Sequence, residues 1–346
     1  KKKIQLKRML PYYLMMLPGI VYFIINNYLP MAGITMAFRK INYRLGIFRS
    51  PWCGFDNFKF LFASGQFGTM VRNTILYNIC FIVVGTVCAI AVAILLNEIR
   101  SKIANRFYQT VILLPYLMSW VVVSYLVYAF LSGETGFINN SILKPLGLQT
   151  INFYQEQKYW PFILILINLW KNVGFSMIIY LSAIVGISND LYESARVDGA
   201  SRWQQITKIT LPCLKPTVIT MFIISISKMF YSDFGLFYQV PKNSGILYPV
   251  TQTIDTYVYN ALMNQNNPGM SAAAGFLQAI IGFILVVAAN ALIRKVSRCY
   301  FLGGKWNGWN FIKTGKRYAG ISAYCTDHFF HMCHCAILAP DCSFIF

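Results

Sequence analysis

The chain reads as an all-α polytopic membrane protein with six transmembrane helices, and three observations predict it. Hydrophobic residues make up 57% of the 346 and charged residues 12%, against about 25% charged in soluble domains. The apolar residues gather into six runs, roughly 11–37, 73–96, 107–131, 160–187, 216–240 and 271–293, each long enough for the ~20 residues that cross a bilayer core. The basic residues flank these runs. Backbone groups in hydrocarbon must bond internally, so each run should be a helix. Strands of a soluble core would be shorter and bounded by turns.

The formal net charge of +19 does not point to nucleic acid, because the basic residues form no single stripe. They set orientation instead. Lys1, Lys2, Lys3, Lys7 and Arg8 precede the first run; Arg100, Lys102 and Arg106 lie in the 97–106 loop; Arg196, Arg202, Lys208 and Lys215 lie in 188–215; seven more follow 293. Placing all four groups inside puts both termini in the cytoplasm and agrees with an even number of spans. One loop conflicts: 39–72 carries Arg39, Lys40, Arg44, Arg49, Lys59 and Arg72 yet falls outside. The first run is long and lacks a small-residue cleavage site, so it should remain as a helix and not be a removed signal peptide. The sequence begins without Met, so a short N-terminal piece is expected to precede it.

Taken in order, the first span starts at Pro11 after a cytoplasmic stretch 1–10, and Pro18-Gly19 is a place for a bend. The turn Trp52-Cys53-Gly54-Phe55-Asp56-Asn57-Phe58 suits a membrane interface, or contact with an external partner. Spans two and three are joined by a short charged loop, and Pro115 should kink span three. The loops 132–159 and 241–270 are polar and should lie outside. Span six opens on Ser271-Ala272-Ala273-Ala274-Gly275, small residues that permit close packing. Nine cysteines imply no disulfide framework; Cys80, Cys88 and Cys213 read as small apolar residues.

Between spans four and five lies 188–215, too polar for lipid. Asn189 and Asp190 are N-cap candidates for a helix running through Ala195. Gly199 frees the backbone for a turn. Trp203, Ile206 and Ile209 recur at spacing three, so a second helix could show one apolar face, with Pro212 and Pro216 ending it and starting the next span. The product is a helix–turn–helix elbow, which could also be an amphipathic connector resting on headgroups.

The spacing within this loop resembles the binding-protein-dependent ABC-importer permeases, whose signature is Glu-Ala-Ala, three residues, Gly, nine residues, Ile, one residue, Leu-Pro. Glu193, Ala195, Gly199, Ile209, Leu211 and Pro212 stand at those intervals, and Ser194 departs from the usual Ala. The resemblance implies a permease, not an enzyme. Its coupling helix around Glu193–Gly199, with Asp198, would seat in a cleft of a nucleotide-binding subunit, and Glu193 would offer charge-assisted bonds there. The chain carries no Walker A sequence, so it should bind no cofactor itself, with ATP and Mg on the partner ATPase. Implied partners are two ATP-binding subunits, a second permease subunit making a heterodimer, an extracellular solute-binding protein and the bilayer of a bacterial cytoplasmic membrane.

The segments Pro11–Phe38, Gly54-Phe55-Asp56-Asn57-Phe58 and Asn73-Thr74 resemble the sugar-importer branch, in particular permeases for complex oligosaccharides such as aldouronates, over roughly residues 5–300. A sugar path pairs aromatic faces with a few hydrogen-bonding groups. Span five offers Tyr231, Asp233 and Phe234, and span four offers Trp170 and Asn172. Asp233 is the leading candidate substrate contact, or else a structural partner of Lys228 or of the second permease. Lys171 has the same two readings. A non-sugar solute (peptide, polyol or lipid precursor) on the same fold is the alternative. A membrane enzyme or receptor would need a reactive constellation, and no histidine or carboxylate cluster lies in any span.

Relatives of this kind end near Arg298, whereas this chain continues. The tail, 297–346, holds His328, His331 and His334 with Cys325, Cys333, Cys335 and Cys342. Its spacing fits no structural zinc site, so no metal is expected. The preferred expectation is a frameshifted, disordered tail.

Overall fold

The computed structural model describes residues 2–303 apart from positions 48 and 64, with side chains described between 12 and 289. His328, His331, His334, Cys325, Cys333, Cys335 and Cys342 lie outside the described residues. Helix α1, Lys2–Phe23, continues through a wide turn at Ile24–Tyr28 and a tight one at Ala32–Phe38, so the first span, Tyr12–Phe38, is one path. A loop and the short helix α2 (Asp56–Ala63) lead to α3 (Gln66–Asn97). Next come α4 (Lys102–Leu117), α5 (Trp120–Leu131) and α6 (Trp160–Val185). Then follow α7 (Asn189–Val197) and the span helix α8 (Arg202–Ser227). The path closes with α9 (Ile254–Met263) and α10 (Pro268–Gly303).

Among the described residues five helices are long and apolar enough to cross a membrane, and α4 with α5 make a sixth path bent by 97°. The expected kink in span three is therefore a full break, placed three residues beyond Pro115. Pro115 sits in the last turn of α4, and Ser119 then caps α5 by accepting from Val122 N.

Four packed clusters hold the described bundle, the smallest of them Ala37, Phe58 and Ala273 between the end of the first span, α2 and α10. Ala89, Ala93, Met177, Tyr180, Ile184 and Leu214 join α3, α6 and α8. Val123, Val127, Trp160, Leu164, Leu236 and Phe237 join α5 and α6 to a re-entrant turn. Leu61, Met70, Ile254, Tyr257 and Ala274 join α2, α3, α9 and α10. A Cβ on Gly174 would stand 2.3 Å from the Ile112 carbonyl oxygen, so α4 and α6 approach to backbone contact. By contrast Tyr12–Met31 of the first span carries no buried residue.

Three expectations need correction. Span five does not run to residue 240: α8 ends at Ser227, and a short wide turn resumes only at Gly235–Gln239. Tyr231, Asp233 and Phe234 therefore lie in or beside a break, not on a continuous helix. The apolar run concealed this, because hydropathy marks membrane depth without marking backbone path. The 241–270 loop is not simply a polar excursion. It folds over the ends of the spans, where Asn73 donates through Nδ2 to Pro249 O and Gln252 O at 3.1 Å each. Finally, Pro212 and Pro216 do not end a helix. The wide turn Ile206–Thr210, closed by Leu211 N to Ile206 O, leads straight into the helix containing both prolines.

Candidate functional site

Most of the predicted residues fall on two breaks of the helical path, the elbow and the break after α8. The first is the elbow. Ser188, not Asn189 or Asp190, is the N-cap of α7, accepting from Asp190 N at 3.3 Å. Asp190 in the first turn and Arg196 in the last suit the helix dipole. At the other end Ala200 N bonds Ala195 O at 2.8 Å and Gly199 N bonds Arg196 O at 3.1 Å. This paired closure needs a left-handed residue, and Gly199 supplies it at φ +77°. Ser201 and Gln204 then form a reciprocal capping box that starts α8.

The two halves of the motif are tied together. The Tyr192 hydroxyl meets Thr210 Oγ1 at 2.9 Å, and Gln205 Nε2 donates to Ala200 O at 3.0 Å. Arg202 pairs with Glu98 at 3.4 Å, linking the elbow to the turn after α3. A cleft of about 550 Å³ opens between these parts, lined by Glu98, Arg100, Tyr192, Arg196, Arg202 and Gln205 among others.

Glu193, Ser194 and Asp198 are exposed, and Ala195 and Ile209 are half-buried. Leu211 and Pro212 stand exposed on the side of α8. The apolar face of Trp203, Ile206 and Ile209 is only partly covered, with Ile206 and Ile209 half-buried. Trp203 is 72% exposed, while Gln205 and Thr210 are buried, because their side chains make the ties just described. Val197 is 89% exposed, so the elbow offers Glu193 between exposed apolar groups on one rigid surface.

The second place is the break after α8. Asp233 makes no ion pair with Lys228 among the described residues. Its Oδ1 accepts from Gly235 N at 3.0 Å and Leu236 N at 3.4 Å, capping the re-entrant turn, and its Oδ2 accepts from Trp120 Nε1 at 2.8 Å. On the opposite side Ser232 donates through N and Oγ to Asp255 Oδ2 at 2.7 and 2.6 Å. Gln278 of α10 donates to Phe230 O and Asp255 Oδ1, both at 2.9 Å. Burial pushes the Asp255 carboxyl above the usual carboxylate range, against the opposing effect of the Ser232 and Gln278 bonds.

Phe234 stacks on Tyr238 and packs on Tyr259, with ring centroids 4.8 Å apart in each case. Tyr231 is 40% exposed and lies against Gly282 of α10. The structure brings Tyr231, Asp233 and Phe234 into one segment. Trp170, 43% exposed, and half-buried Asn172 stand on α6 outside that segment's hydrogen bonds. Three contributors were not foreseen: Trp120, Asp255 and Tyr259. Trp120 begins the second half of a broken span, a position that a Pro followed by a Ser cap could have marked; Asp255 and Tyr259 lay in a segment read as loop.

Residues 82–298 match the family described as the binding-protein-dependent transport system inner membrane component. The chain is similar to a polygalacturonan/rhamnogalacturonan transport system permease protein, YteP, of Bacillus subtilis (strain 168), at 36% identity over 82% of this chain and 87% of that one. Among solved structures it resembles a chain of a bacterial ABC transporter involved in the import of the acidic polysaccharide alginate. The TM-score is 0.76 at 36% identity, covering 84% of this chain and 98% of the other. A second structure of a bacterial alginate ABC transporter, in complex with a periplasmic protein bound to alginate pentasaccharide, aligns with TM-score 0.75 at 35% identity over 84% of this chain and 96% of that one. With the elbow, the six membrane paths and these likenesses together, the chain belongs to the binding-protein-dependent transport system inner membrane components, the multi-pass permeases of ABC importers.

Proposed function

We propose that this chain is half of the pore of an ATP-driven importer and translocates an oligosaccharide delivered by an extracellular binding protein. The observation that carries the coupling is the elbow. Its exposed surface around Glu193 and Val197 is locked by Gly199 and the Tyr192–Thr210 contact onto α8, which runs without a break to Ser227. A push on α7 is therefore delivered along one rigid helix to the break that holds Asp233. In this reading two ATP-binding subunits, which carry ATP and Mg, dock on the elbows. Glu193, Ser194, Ala195, Asp198 and Gly199 form the docking helix, while Ile209, Leu211 and Pro212 root it in the membrane. Both termini lie in the cytoplasm, the side on which the elbow meets its ATPase.

The relatives' named substrates are polygalacturonan, rhamnogalacturonan and alginate, which supports a sugar polymer fragment here. Tyr231, Phe234 and Trp170 supply aromatic faces, Asn172 an amide, and Asp233 sets the path's shape. The long exposed stretch of the first span leaves room for a second, unlike permease. The test reconstitutes the transporter with its ATPase and binding protein. The binding protein is titrated calorimetrically against oligosaccharides, amino acids, peptides and polyols, then tested for uptake. An oligosaccharide ligand that is taken up supports the reading. Binding and uptake of a non-sugar alone overturns the substrate, and Glu193→Lys with undiminished uptake overturns the docking role.

A further inference from the structure

The buried ammonium of Lys171 lies in the middle of an apolar helix, and neither the docking elbow nor the proposed sugar path uses it. Lys171 is 6% exposed. Its Nζ donates to Pro115 O at 3.2 Å, Tyr116 O at 3.0 Å and also to Met118 O. These carbonyls lie at the end of α4 and in the break beyond it, and Pro115 O also accepts from Met118 N at 3.2 Å. All three donor positions of the ammonium are therefore spent on the 97° bend. The same ammonium stands 5.0 Å from the centroid of the Trp120 ring, near enough for cation–π attraction. Trp120 Nε1 in turn donates to Asp233 Oδ2 at 2.8 Å. A Cβ on Gly235 would meet the Trp120 ring at 2.1 Å, so the indole also seats against the re-entrant turn.

We propose that Lys171 is a positioning residue for transport, a pin that fixes the bend of the third span and, through Trp120, the place of Asp233 and the re-entrant segment 228–239. The pin joins the two broken spans across α6. The Trp120–Asp233 bond is then the contact that must move when α8 moves. This inference rests on the transport reading only for its consequence for uptake; the geometric linkage stands apart from it.

Both parts are tested in the assembled transporter in lipid nanodiscs, using Lys171→Met, Trp120→Phe, Asp233→Asn and the Lys171→Met/Trp120→Phe double variant. Trp120→Phe keeps a ring beside the ammonium but loses the N–H to Asp233. Hydrogen exchange is read over 228–239, a segment to which Lys171 makes no hydrogen bond, although its charge acts on Asp233. All three single variants should speed exchange there, and the double variant should add little to Lys171→Met. Maximal uptake should fall by about 3- to 30-fold, the span over which residues in a coupled network act, with the half-saturating concentration of loaded binding protein unchanged. If Lys171→Met fails to assemble, Trp120→Phe and Asp233→Asn carry the test alone. Unchanged exchange over 228–239 in Trp120→Phe overturns the proposal, as does a double variant with fully additive effects. Failure of the wild-type transporter to take up any solute overturns the transport reading instead, and the exchange data still decide the pin.

Discussion

The elbow and the break after α8 are both interruptions of a helical path, yet they are held in opposite ways. At the elbow every end is closed by neighbours. Ser188 caps two residues away, Gly199 and Ala200 reach back three and five residues, and Ser201 pairs with Gln204. At the break the partners come from afar. Trp120 and Asp233 are 113 residues apart, Gln278 and Phe230 are 48 apart, and Lys171 reaches 55 residues to Tyr116. The elbow is exposed, so it can be polar on its outside and closed locally. At the break Asp233 closes Gly235 N and Leu236 N itself, while Phe230 O is met by Gln278 of another span. Local closure suits a handle that must keep its shape while it is pushed. Distant closure suits a joint whose partners lie on separate elements and can move relative to one another.

The sharpest way to break this contrast is at Gly174, beneath the joint. Gly174→Val would drive a side chain into the Ile112 carbonyl, and backbone cannot yield as a flexible side chain can. The expected result is loss of assembled transporter, measured as monodisperse yield from membranes. Recovery of normal yield would show that α4 can slide and that the bend is not rigidly seated.

Next in size is Gly199→Val at the handle. A β-branched residue is strained at φ +77°, so the turn should loosen. Assembly should survive while uptake per ATP hydrolysed falls several-fold. A loss of assembly equal to that of Gly174→Val would erase the distinction between a handle and a joint.

Asp255 sharpens the joint side through pH. Its folded carboxyl holds a proton more readily than the unfolded one, so its contribution to stability rises as pH falls through the raised value. That contribution is lost as pH rises above it. The difference in melting temperature between wild type and Asp255→Asn should therefore change with pH just above the ordinary carboxylate range. A difference that stays flat there would remove Asp255 as a titrating group. The smallest effect is expected from Ser201→Ala, which removes one cap worth about 1 kcal/mol. It should lower the melting temperature slightly and leave 228–239 unaltered in hydrogen exchange.

The legibility of the two regions differs for the same reason. Glu193, Gly199 and Pro212 were readable because their spacing is a local property, and so was the position of the turn. Ser188 was missed by one residue, since Asn189 and Asp190 are equally good caps on paper and only the observed φ and ψ decide. Periodicity groups Trp203, Ile206 and Ile209 on one apolar face but does not say which residues around it are covered. Gln205 and Thr210 are buried, by hydrogen bonds to Ala200 and Tyr192. Asp233 stood out as a carboxylate in an apolar run, but its bond to Trp120, 113 residues away, could not be read from the sequence.

The sequence by itself determined the membrane class, the six apolar paths, the elbow between the fourth and fifth, and the family likeness. Each depends on composition or on spacing along the chain. Only the tertiary structure decided that span three bends by 97°, that span five stops at Ser227, and that Lys171, Trp120, Asp233, Asp255 and Gln278 meet around those breaks. The physical reason is that hydropathy records where a residue can reside, whereas a broken helix in lipid survives only where other spans bring donors and acceptors to its freed backbone.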